Sequence, residues 1–474
     1  MKLQDKIHTN WTICSACKGR GKKNRGVSKK AQQQYQTALR QFEENNHLGI
    51  APEHPKGTLH TCVSCSGSGL QRSEIPTKAD TTNLPIVAII GAGIGGVALA
   101  VACLHRGIPF ILFERDANFE ARSQGYGLTL QQASKALKSF GITTLKDGIT
   151  STKHVVHTTD GKIIGEWGLR KWLPSEKKEN SKHSNVHIAR QALRLVLLEQ
   201  LGGIENVKWG HQLIHLDTSE NNTISFDVNG KIKNYTADLI VGADGIRSTV
   251  RKLLLGDSIA PLRYLNCIVI LGICSLDALK NRSNSLLDSE TVFQTANGFE
   301  RIYMMPYSST KIMWQFSFPM SEAEAIKLSK KGAKALKEEA CRRTQWHSPI
   351  PEIMQATQET EISGYPVYDR TLLTTESLEK SNSVTLLGDA AHPMSPFKGQ
   401  GANQALLDAL SLARFIKKAE SYWKNTGIRK SILTDFENEM LARSAVKVKD
   451  SKAAAEFLHS EMVLHESNEP RKHQ

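Results

Sequence analysis

The sequence lacks the features that would assign it to a specialised class of protein. Its first 14 residues contain no apolar run of the kind found in signal peptides, so we expect a cytoplasmic protein. With 40% hydrophobic and 23% charged residues among 474, the composition is that of an ordinary soluble protein. Acidic residues number 47 against 61 basic ones, which gives a net charge of +14. The length is sufficient for two or three domains.

Residues 84–104 lack any charged side chain, and a stretch of this length could cross a bilayer. Four glycines, at positions 91, 93, 95 and 96, are gathered at one turn inside it, and Pro109 follows soon after its end. Both features argue against a continuous membrane helix. We therefore expect no membrane span.

The stretch 86–114 has instead the pattern of strand, glycine turn, helix and strand. Its glycines form the dinucleotide-binding fingerprint in the context that this motif requires. Gly91 makes the turn, Gly93 lets the backbone approach a pyrophosphate, and Gly96 lets the helix pack closely on the strand. Glu114, 21 residues beyond Gly93, can accept hydrogen bonds from ribose hydroxyls. The pattern predicts a nucleotide-containing cofactor.

The eight cysteines fall into two classes. Four are scattered singly, at Cys103, Cys267, Cys274 and Cys341. The other four, Cys14, Cys17, Cys62 and Cys65, lie in two copies of C-x-x-C-x-G-x-G. Without an export signal, such pairs favour a metal over disulfides, and four thiolates complete the closed tetrahedral site of structural zinc. A redox-active C-x-x-C is the alternative, but it explains neither the repeat nor the glycines.

The two repeats resemble half of the cysteine-rich domain of DnaJ-type chaperones, in which paired knuckles share one zinc ion. The resemblance covers sixteen residues, with two repeats in place of four. We expect residues 1–72 to form a zinc-knuckle arm with a polar helix over 28–46, followed by a linker at 73–84. Residues 1–80 hold 13 Lys and Arg against 6 Asp and Glu. We interpret this excess as a solvated surface rather than a specific nucleic-acid site. The arm is a candidate surface for a protein partner or for self-association.

Two further buried strands are predicted to end in polar turns. The first precedes Gly242-Ala243-Asp244-Gly245, and the second precedes Gly388-Asp389-Ala390-Ala391-His392-Pro393. A helix is expected to open near residues 399–403. Strand formers are frequent in residues 260–320 and predict a second sheet. We also predict strands at 154–158 and 162–167, a loop at 173–184, a helical region over 433–463 and disorder in the last ten residues.

These three glycine-containing motifs, in this order over residues 86–420, resemble the FAD-dependent aromatic hydroxylases typified by para-hydroxybenzoate hydroxylase (group A flavin monooxygenases). Residues 114–125 look most like the tetracycline-inactivating monooxygenases. The resemblance implies an α/β fold, with a Rossmann-like FAD-binding domain over 85–420 and an inserted, mainly-β substrate domain whose sheet lies at about 260–365. A C-terminal helix and tail would occupy 421–474.

The resemblance also implies an activity. NAD(P)H would reduce FAD, and O2 would then form a flavin C4a-hydroperoxide that hydroxylates a small aromatic or polycyclic substrate. Only one glycine fingerprint occurs, so NAD(P)H is expected as a co-substrate without a domain of its own. No side chain is assigned to catalysis, because the flavin carries the chemistry.

Cofactor contacts carried over from the family fall on residues that match its motifs. They are Gly91, Gly93, Gly96, Glu114, Arg115, Arg122, Arg190, Asp244, Gly388, Asp389, Pro393, Gly399, Gly401 and Asn403. Glu114 would hold the adenosine ribose, and Arg122 and Arg190 would lie along the flavin and pyrophosphate. Asp389 would bind the ribityl chain.

Other matched positions are expected near the flavin ring. Pro393 and residues 399–403 would line the isoalloxazine, where a helix N-terminus stabilises the reduced anion. Asp244 would lie near both dinucleotides, or would cap a helix. We interpret His392 as a packed residue rather than as a catalytic base.

Two alternatives remain. Residues 314–319 resemble the halogenase motif W-x-W-x-I-P, although the second Trp and the Ile are replaced and a sheet strand explains the alternation equally well. From another class, the chain could be a flavin-fold binding or chaperone-like module led by its zinc arm. Tyr303, Met305, Trp314 and Phe316 are candidates for the substrate pocket by location, and a core role is equally open for each.

Overall fold

The computed structural model describes residues 9–55, 57–121, 125–131, 133–168, 185–219, 222–281 and 283–469. Arg122 and the loop predicted at 173–184 lie outside the described residues. The chain divides into two compact units, Met1–Lys78 and Ala79–Gln474, which are treated separately below.

The described strands, in chain order, are β1 (Asn10–Ile13), β2 (Lys22–Asn24), β3 (Leu59–Thr61), β4 (Leu70–Ser73), β5 (Val87–Ile90), β6 (Phe110–Phe113), β7 (Gly127–Leu130), β8 (Ile149–Thr150), β9 (Lys153–His157), β10 (Ile163–Trp167), β11 (Val186–Ala189), β12 (Gln212–Asp217), β13 (Thr223–Val228), β14 (Lys231–Thr236), β15 (Leu239–Gly242), β16 (Leu262–Ser275), β17 (Thr291–Ala296), β18 (Arg301–Ser308), β19 (Lys311–Pro319), β20 (Ile362–Arg370) and β21 (Val384–Leu386). The described α-helices are α1 (Lys29–Glu44), α2 (Ile94–Leu104), α3 (Ala133–Ala136), α4 (Arg190–Gln200), α5 (Thr249–Leu255), α6 (Glu322–Lys330), α7 (Ala333–Arg343), α8 (Ile350–Ala356), α9 (Thr375–Leu378), α10 (Gly401–Lys418), α11 (Trp423–Thr426) and α12 (Thr434–Leu458).

The first unit is built around its cysteines. Two antiparallel strand pairs, β1 with β4 and β2 with β3, bring the two C-x-x-C repeats together. Helix α1 begins after Ser28, whose hydroxyl accepts a hydrogen bond from the Ala31 N–H, and it buries none of its residues. The buried cluster of this unit consists of the four cysteines. The four cysteine side chains therefore form the core of this unit.

The second unit contains a four-stranded parallel sheet in the order β21-β15-β5-β6. Its strands are apolar along most of their length because helices cover them, and α2 packs against α10 beside the sheet. The carboxyl ends of parallel strands meet at one edge. Gly91, Glu114, Ala243 and Gly388 all follow strand ends at that edge, where open α/β sheets bind their ligands.

A larger sheet of seven strands has the order β10-β9-β17-β18-β19-β16-β20. All its pairs are antiparallel except β17 with β9. One face packs on α6, α7 and α8 around Trp314 and Phe316, and the other faces a cavity. The sheet thus takes in β9 and β10, which lie outside the 260–365 range that was predicted for it.

Two smaller antiparallel sheets, β7-β11-β8 and β12-β13-β14, complete the strands of this unit. The fold is α/β, with a Rossmann-like nucleotide-binding region, a mainly-β insertion and a C-terminal helical region.

The C-terminal segment is more ordered than the composition predicted. After α12, the Ser467 N–H donates to the Ile164 carbonyl at 2.9 Å, and Lys162 pairs with Glu466 at 2.8 Å. The predicted disorder is therefore wrong for residues 465–469, where Ser467 and Asn468 form hydrogen bonds with Ile164 and Glu166 of β10.

Among the residues described, no helix is both long and apolar enough to cross a membrane. Helix α2, in the charge-free stretch, has 11 residues.

Candidate functional site

The glycine turn between β5 and α2 has no room for side chains at Gly91 and Gly96. A Cβ on Gly91, whose φ is +104°, would lie 2.6 Å from the Ala243 carbonyl oxygen. A Cβ on Gly96 would lie 1.9 Å from the Gly91 carbonyl oxygen. The backbone of α2 therefore begins tight against the sheet. Gly93 caps α2 without a side-chain hydrogen bond, so the first N–H groups of the helix are available to an anion.

The positively charged side chain of Arg190 lies beside this turn. The Nη2 atom of Arg190 lies 3.9 Å from the position that a Cβ on Gly93 would take. Arg190 starts α4, its N–H donates to the Tyr126 carbonyl at 3.1 Å, and its Cζ lies 5.5 Å from the centroid of the Tyr126 ring. Helix N-terminus and guanidinium together form a site suited to a pyrophosphate.

Glu114 directly follows β6 and is 9% exposed. Its carboxylate accepts from the Ala92 N–H at 2.8 Å and from the Asp116 N–H at 3.1 Å, and so ties the glycine turn to the next strand. Each carboxylate oxygen keeps a second lone pair for a ribose hydroxyl. Arg115, its neighbour, points to solvent and is exposed.

Asp244 lies just before α5. Its Oδ2 accepts from the Thr249 N–H at 2.7 Å and from the Val250 N–H at 3.1 Å, while the Ser248 hydroxyl donates to Oδ1. Burial raises the pKa of Asp244, and these hydrogen bonds oppose the rise. Asp244 thus supports the start of the helix from outside it, while Ser248 takes the N-cap position that the sequence suggested for Asp244. The flanking Ala243 and Gly245 line the cavity.

Asp389 differs from the other carboxylates at this edge. It follows β21 in the short 3-10 turn Gly388–Ala390 and lines the cavity. It forms no hydrogen bond with any other residue in the described part of the chain. The surrounding protein raises its pKa by desolvation, while His392 and Arg190 oppose the rise. A carboxylate in this position is suited to accept hydrogen bonds from ligand hydroxyls.

A buried network supports this turn from behind. His392 is 2% exposed, and its Nε2 lies 2.7 Å from Asp408 Oδ2. The same oxygen accepts from the Gly388 N–H at 2.9 Å, and Arg443 donates to Asp408 Oδ1 at 2.7 Å. Burial alone would raise the pKa of Asp408, but His392 and Arg443 outweigh it and hold this pKa below its usual range. This placement agrees with the packed role that we expected for His392.

The loop before α10 is held by Asn403. Its Oδ1 accepts from the N–H groups of Gln131 and Ala133 at 2.9 and 3.2 Å, and its Nδ2 donates to the carbonyls of Thr129 and Gly399 at 2.9 and 2.8 Å. The Asn403 side chain is fully buried and is not part of the cavity wall. It therefore positions the loop from behind the cavity wall, and the flavin contact that the resemblance implied for Asn403 stays a prediction.

The predicted residues around this loop do line the cavity. Pro393, Gly399 and Gly401 form part of its wall, together with the first turn of α10. Gln400 caps that helix without a side-chain hydrogen bond. A second helix N-terminus thus opens onto the same cavity as α2.

The seven-stranded sheet closes the cavity on the opposite side. Alternate residues of β18 and β19 face it, and they include Tyr303, Met305 and Gln315. Trp314 and Phe316 face the other way into the apolar cluster, and Trp314 Nε1 donates to Thr357 Oγ1 at 2.9 Å. For these two residues the structure selects the core role that the sequence left open, because neighbouring residues on a strand point to opposite faces.

The cavity has a volume of about 620 Å³. Its wall includes residues that the sequence did not single out, namely Tyr126, Thr129, Leu271, Arg301, Met313, Gln315, Tyr365 and Phe397. Side chains of β18 and β19 alternate between the two faces of the sheet. Once Tyr303 is placed on the cavity face, this alternation predicts that Arg301, Met313 and Gln315 face the cavity too.

A separate site lies in the first unit. The ligand atoms of Cys14, Cys17, Cys62 and Cys65 all lie within 4.8 Å of one another, and the four residues are buried. The Sγ atoms of Cys17 and Cys65 are 3.7 Å apart. Four thiolates at about 2.3 Å from a tetrahedral zinc would be about 3.8 Å apart. The distance between Cys17 and Cys65 is compatible with two ligands of one metal ion and is too long for a disulfide.

The two repeats are related by the same set of backbone contacts. The Gly21 N–H donates to Cys17 Sγ and the Gly69 N–H to Cys65 Sγ, each at 3.2 Å. The Cys14 N–H donates to the Gly69 carbonyl and the Cys62 N–H to the Gly21 carbonyl, at 2.8 and 2.9 Å. The last glycine of each repeat therefore donates its N–H to a cysteine sulfur.

The fold and the cavity of the second unit define a nucleotide-binding α/β protein with two helix N-termini, a cation and an unpartnered carboxylate at one ligand site. Comparison with known families makes the assignment specific. Residues 85–431 match the FAD binding domain family, and the chain belongs to it.

Its relatives include FAD-dependent monooxygenases. The chloroplastic zeaxanthin epoxidase of Oryza sativa subsp. japonica is 27% identical over 377 residues, which make up 77% of this chain and 54% of the epoxidase. The FAD-dependent monooxygenase thnD of Trichoderma harzianum is 25% identical over 400 residues, 77% of this chain and 92% of that protein. The chain thus spans about half the length of the rice relative.

Solved structures show the same fold. HpxO of Klebsiella pneumoniae, complexed with FAD and uric acid, superposes with a TM-score of 0.65 at 19% identity, covering 80% of this chain and 90% of HpxO. This likeness shows the α/β fold of the para-hydroxybenzoate hydroxylase type.

Proposed function

We propose that the chain is an FAD-dependent monooxygenase that uses NAD(P)H and O2 to hydroxylate a small aromatic or polycyclic substrate. One observation carries the proposal. The glycine turn, Arg190, Asp389 and the N-terminus of α10 all face a single cavity, whose remaining wall carries aromatic, apolar and polar side chains. A cofactor with phosphates, hydroxyls and an electron-accepting ring has one partner for each part. The phosphates would lie at the glycine turn and Arg190, the hydroxyls at Asp389 and the ring at the N-terminus of α10.

Each group has a distinct task in this proposal. The α2 N-terminus and Arg190 would neutralise the pyrophosphate, and Glu114 would accept from the adenosine ribose. Asp389 would accept from the ribityl hydroxyls, which donate to its otherwise unpartnered oxygens. The N-terminus of α10 would stabilise negative charge on the flavin ring. When bound, FAD supplies hydride acceptance and oxygen activation. The sheet wall would exclude water from the reacting atoms.

The test is oxygen uptake by the purified protein supplied with FAD and either NADH or NADPH. We expect pyridine nucleotide oxidation that consumes oxygen and that accelerates with some members of a panel of phenols and polycyclic aromatics. Product from 18O2 should carry the label. Substrate turnover that proceeds equally well without oxygen would contradict the proposal, and a halogenated product formed with chloride or bromide would assign a different chemistry.

A matched pair of variants links the activity to the cavity. Asp389→Asn should weaken FAD retention, since the amide replaces an acceptor oxygen with a donor. Asp257→Asn makes the same chemical change at a side chain that is 76% exposed and should retain FAD normally. Equal retention by both variants would show that Asp389 has no role in binding.

For the first unit, we propose one structural Zn²⁺ bound by Cys14, Cys17, Cys62 and Cys65. The sulfur spacing and the glycine N–H donors support it. Four thiolates would leave no open coordination position, so the metal would not take part in the flavin chemistry. The fold of residues 1–72 would depend on the metal, because the buried cluster of the first unit consists of cysteines.

Metal content measured by mass spectrometry tests this proposal. We expect about one zinc per chain, lost in Cys62→Ser and kept in Cys341→Ser, which alters a cysteine outside the cluster. Deleting residues 1–78 should remove the zinc and leave FAD binding intact. Zinc that persists after the deletion would contradict the assignment.

A further inference from the structure

Helix α1 separates two oppositely charged surfaces of the first unit. Residues 18–30, before and at the start of α1, contain seven Lys and Arg residues and no acidic residue, and all seven are exposed. Glu43 and Glu44 end the helix and are also exposed. The 16 residues of α1 put about 24 Å between its two ends. We call residues 18–30 the base of the first unit and residues 43–50 its tip.

This order of charges is unfavourable for the helix itself. Lys29 and Lys30 occupy the first turn of α1, and Glu43 and Glu44 occupy its last turn. The helix dipole favours the reverse, with acidic residues at the N-terminus and basic residues at the C-terminus. In the part of the chain that the structure describes, none of these four residues forms an ion pair, and neither does Arg40, one turn before Glu44. A partner that brings the opposite charge to each end of α1 would compensate both.

The segment after α1 covers the apolar face of the helix. The His47 ring lies 5.2 Å from the Phe42 ring, and the His54 ring lies 4.8 Å from the Tyr35 ring. Residues 47–54 therefore return along α1 from its C-terminal end towards its middle. Because Tyr35 and Phe42 are half-buried in this way, the surfaces that stay open are the base and the tip.

Exposed aliphatic side chains accompany both charged surfaces. At the tip, Leu48 and Ile50 are 80% and 97% exposed. Beside the base, Leu59 of β3 is 63% exposed and pairs with Asn24 of β2. Grouped apolar side chains of this kind, rimmed by charges, mark protein contacts. A surface for single-stranded nucleic acid would instead offer aromatic rings for stacking, and the strongly exposed large hydrophobic residues described in this unit are all aliphatic.

We propose that two copies of this chain associate through their first units in antiparallel orientation, with the tip of each copy on the base of the other. A two-fold symmetric interface makes each such contact twice, so one complementary pair of surfaces is sufficient. The glutamates of one tip lie against the lysines of the other base, and Leu48 and Ile50 contact Leu59. A parallel pair would place like charges together at both ends, which is costly. The association is independent of the flavin reaction.

Sedimentation equilibrium of the full-length protein tests the pairing. We expect a monomer–dimer equilibrium that weakens as NaCl is raised from about 50 to about 500 mM, because salt screens exposed charges. The tip variant, Glu43→Lys with Glu44→Lys, should raise the dimer Kd at least about tenfold, since like charges then meet. The base variant should have the same effect, because its four substitutions change the charge of the base from +7 to −1. They are Lys22→Glu, Lys23→Glu, Lys29→Glu and Lys30→Glu.

Mixing the two variants tests the complementarity directly. The tip variant has positive charge at both surfaces, and the base variant has negative charge at both. An equimolar mixture should therefore form a heterodimer, although each variant alone associates weakly. A chain that combines both sets of substitutions should dimerise with itself again. Antiparallel pairing explains this recovery, whereas parallel pairing would leave like charges together in the combined variant.

Two controls separate association from folding. Both sets of substitutions match the helix dipole better than the wild type does, so weaker association would not come from loss of α1. Circular dichroism should show equal helix content in all variants. Lys231→Glu with Lys233→Glu reverses two exposed lysines of β14 in the second unit and should leave the dimer Kd unchanged.

The proposal is overturned if the wild type stays monomeric up to about 100 µM, or if its Kd is the same in the tip and base variants. A wild type that dimerises, together with a combined variant that does not, would contradict the antiparallel orientation. A monomer that binds a single-stranded oligodeoxynucleotide through the base would assign this surface to nucleic acid and would overturn the proposal as well.

Discussion

Asp408 offers a sharp test of how the fold supports the cofactor site. Its carboxylate is fully buried and accepts from three donors, which belong to Gly388, His392 and Arg443. In Asp408→Ala these donors lose their acceptor together. Arg443 is 22% exposed and can turn to water, but His392 cannot, because its side chain is 1% exposed.

The expected cost follows from this burial. Removing one member of a buried ionic pair costs about 3–5 kcal/mol, because the remaining charge and donors are left uncompensated. We therefore expect Asp408→Ala to lower the free energy of unfolding of the FAD-free protein by that amount. FAD affinity should fall at least about tenfold, since the turn that carries Asp389 is anchored through the Gly388 N–H.

Urea unfolding followed by circular dichroism measures the first effect, and flavin fluorescence titration the second. Asp435→Ala removes a carboxylate that is 63% exposed and should change stability by less than about 0.5 kcal/mol. A double-mutant cycle compares Asp408→Asn, Arg443→Met and the double variant with the wild type. It should give a coupling energy of about 1 kcal/mol or more between the two side chains. A loss below about 1 kcal/mol in Asp408→Ala, with unchanged FAD affinity, would refute the role assigned to this network.

Three further outcomes are expected. Gly96→Ala should lose FAD, because its Cβ would lie 1.9 Å from the Gly91 carbonyl oxygen; a variant with normal flavin content would contradict the tight turn. Asn403→Ala should cost at least about 2 kcal/mol in urea unfolding, since the carbonyl and N–H groups that its amide bridges are left unpaired; an unchanged unfolding midpoint would contradict that role. Stability should fall on acidification below about pH 6.5, because burial lowers the pKa of His105 to about 4 and that of His187 to about 3, so that only the unfolded chain binds protons there. Each of these histidines lowers the free energy of unfolding by up to ~1.4 kcal/mol per pH unit of acidification, down to its folded pKa. His187→Gln should therefore lose less stability than the wild type between pH 6.5 and 5.5. Equal pH slopes in the two proteins would contradict the role of His187.

Much of the architecture could be predicted because its signals are local. The strand, turn and helix around Gly91 depend on neighbouring residues, and the structure places them as β5, the turn and α2. The same holds for the strands before Asp244 and Asp389. The paired C-x-x-C repeats could likewise indicate a common cluster, since each repeat folds through contacts within eight residues and the strands pair them.

Other features depend on register and on distant contacts, which the order of residues does not show. Trp314 was a pocket candidate by location, but strand alternation turns it into the core and turns Gln315 into the cavity wall. Asp408 and Arg443 lie 35 residues apart, and only helix packing brings them together.

The central claim is that the second unit binds one FAD in the cavity between the parallel sheet and the seven-stranded sheet. Titration of the FAD-free protein with FAD, followed by flavin fluorescence, tests it most directly. The account predicts saturable binding of one FAD per chain for the wild type and for Asp257→Asn, with clearly weaker binding by Asp389→Asn. Absence of saturable binding in the wild type, or equal binding by all three proteins, would contradict it.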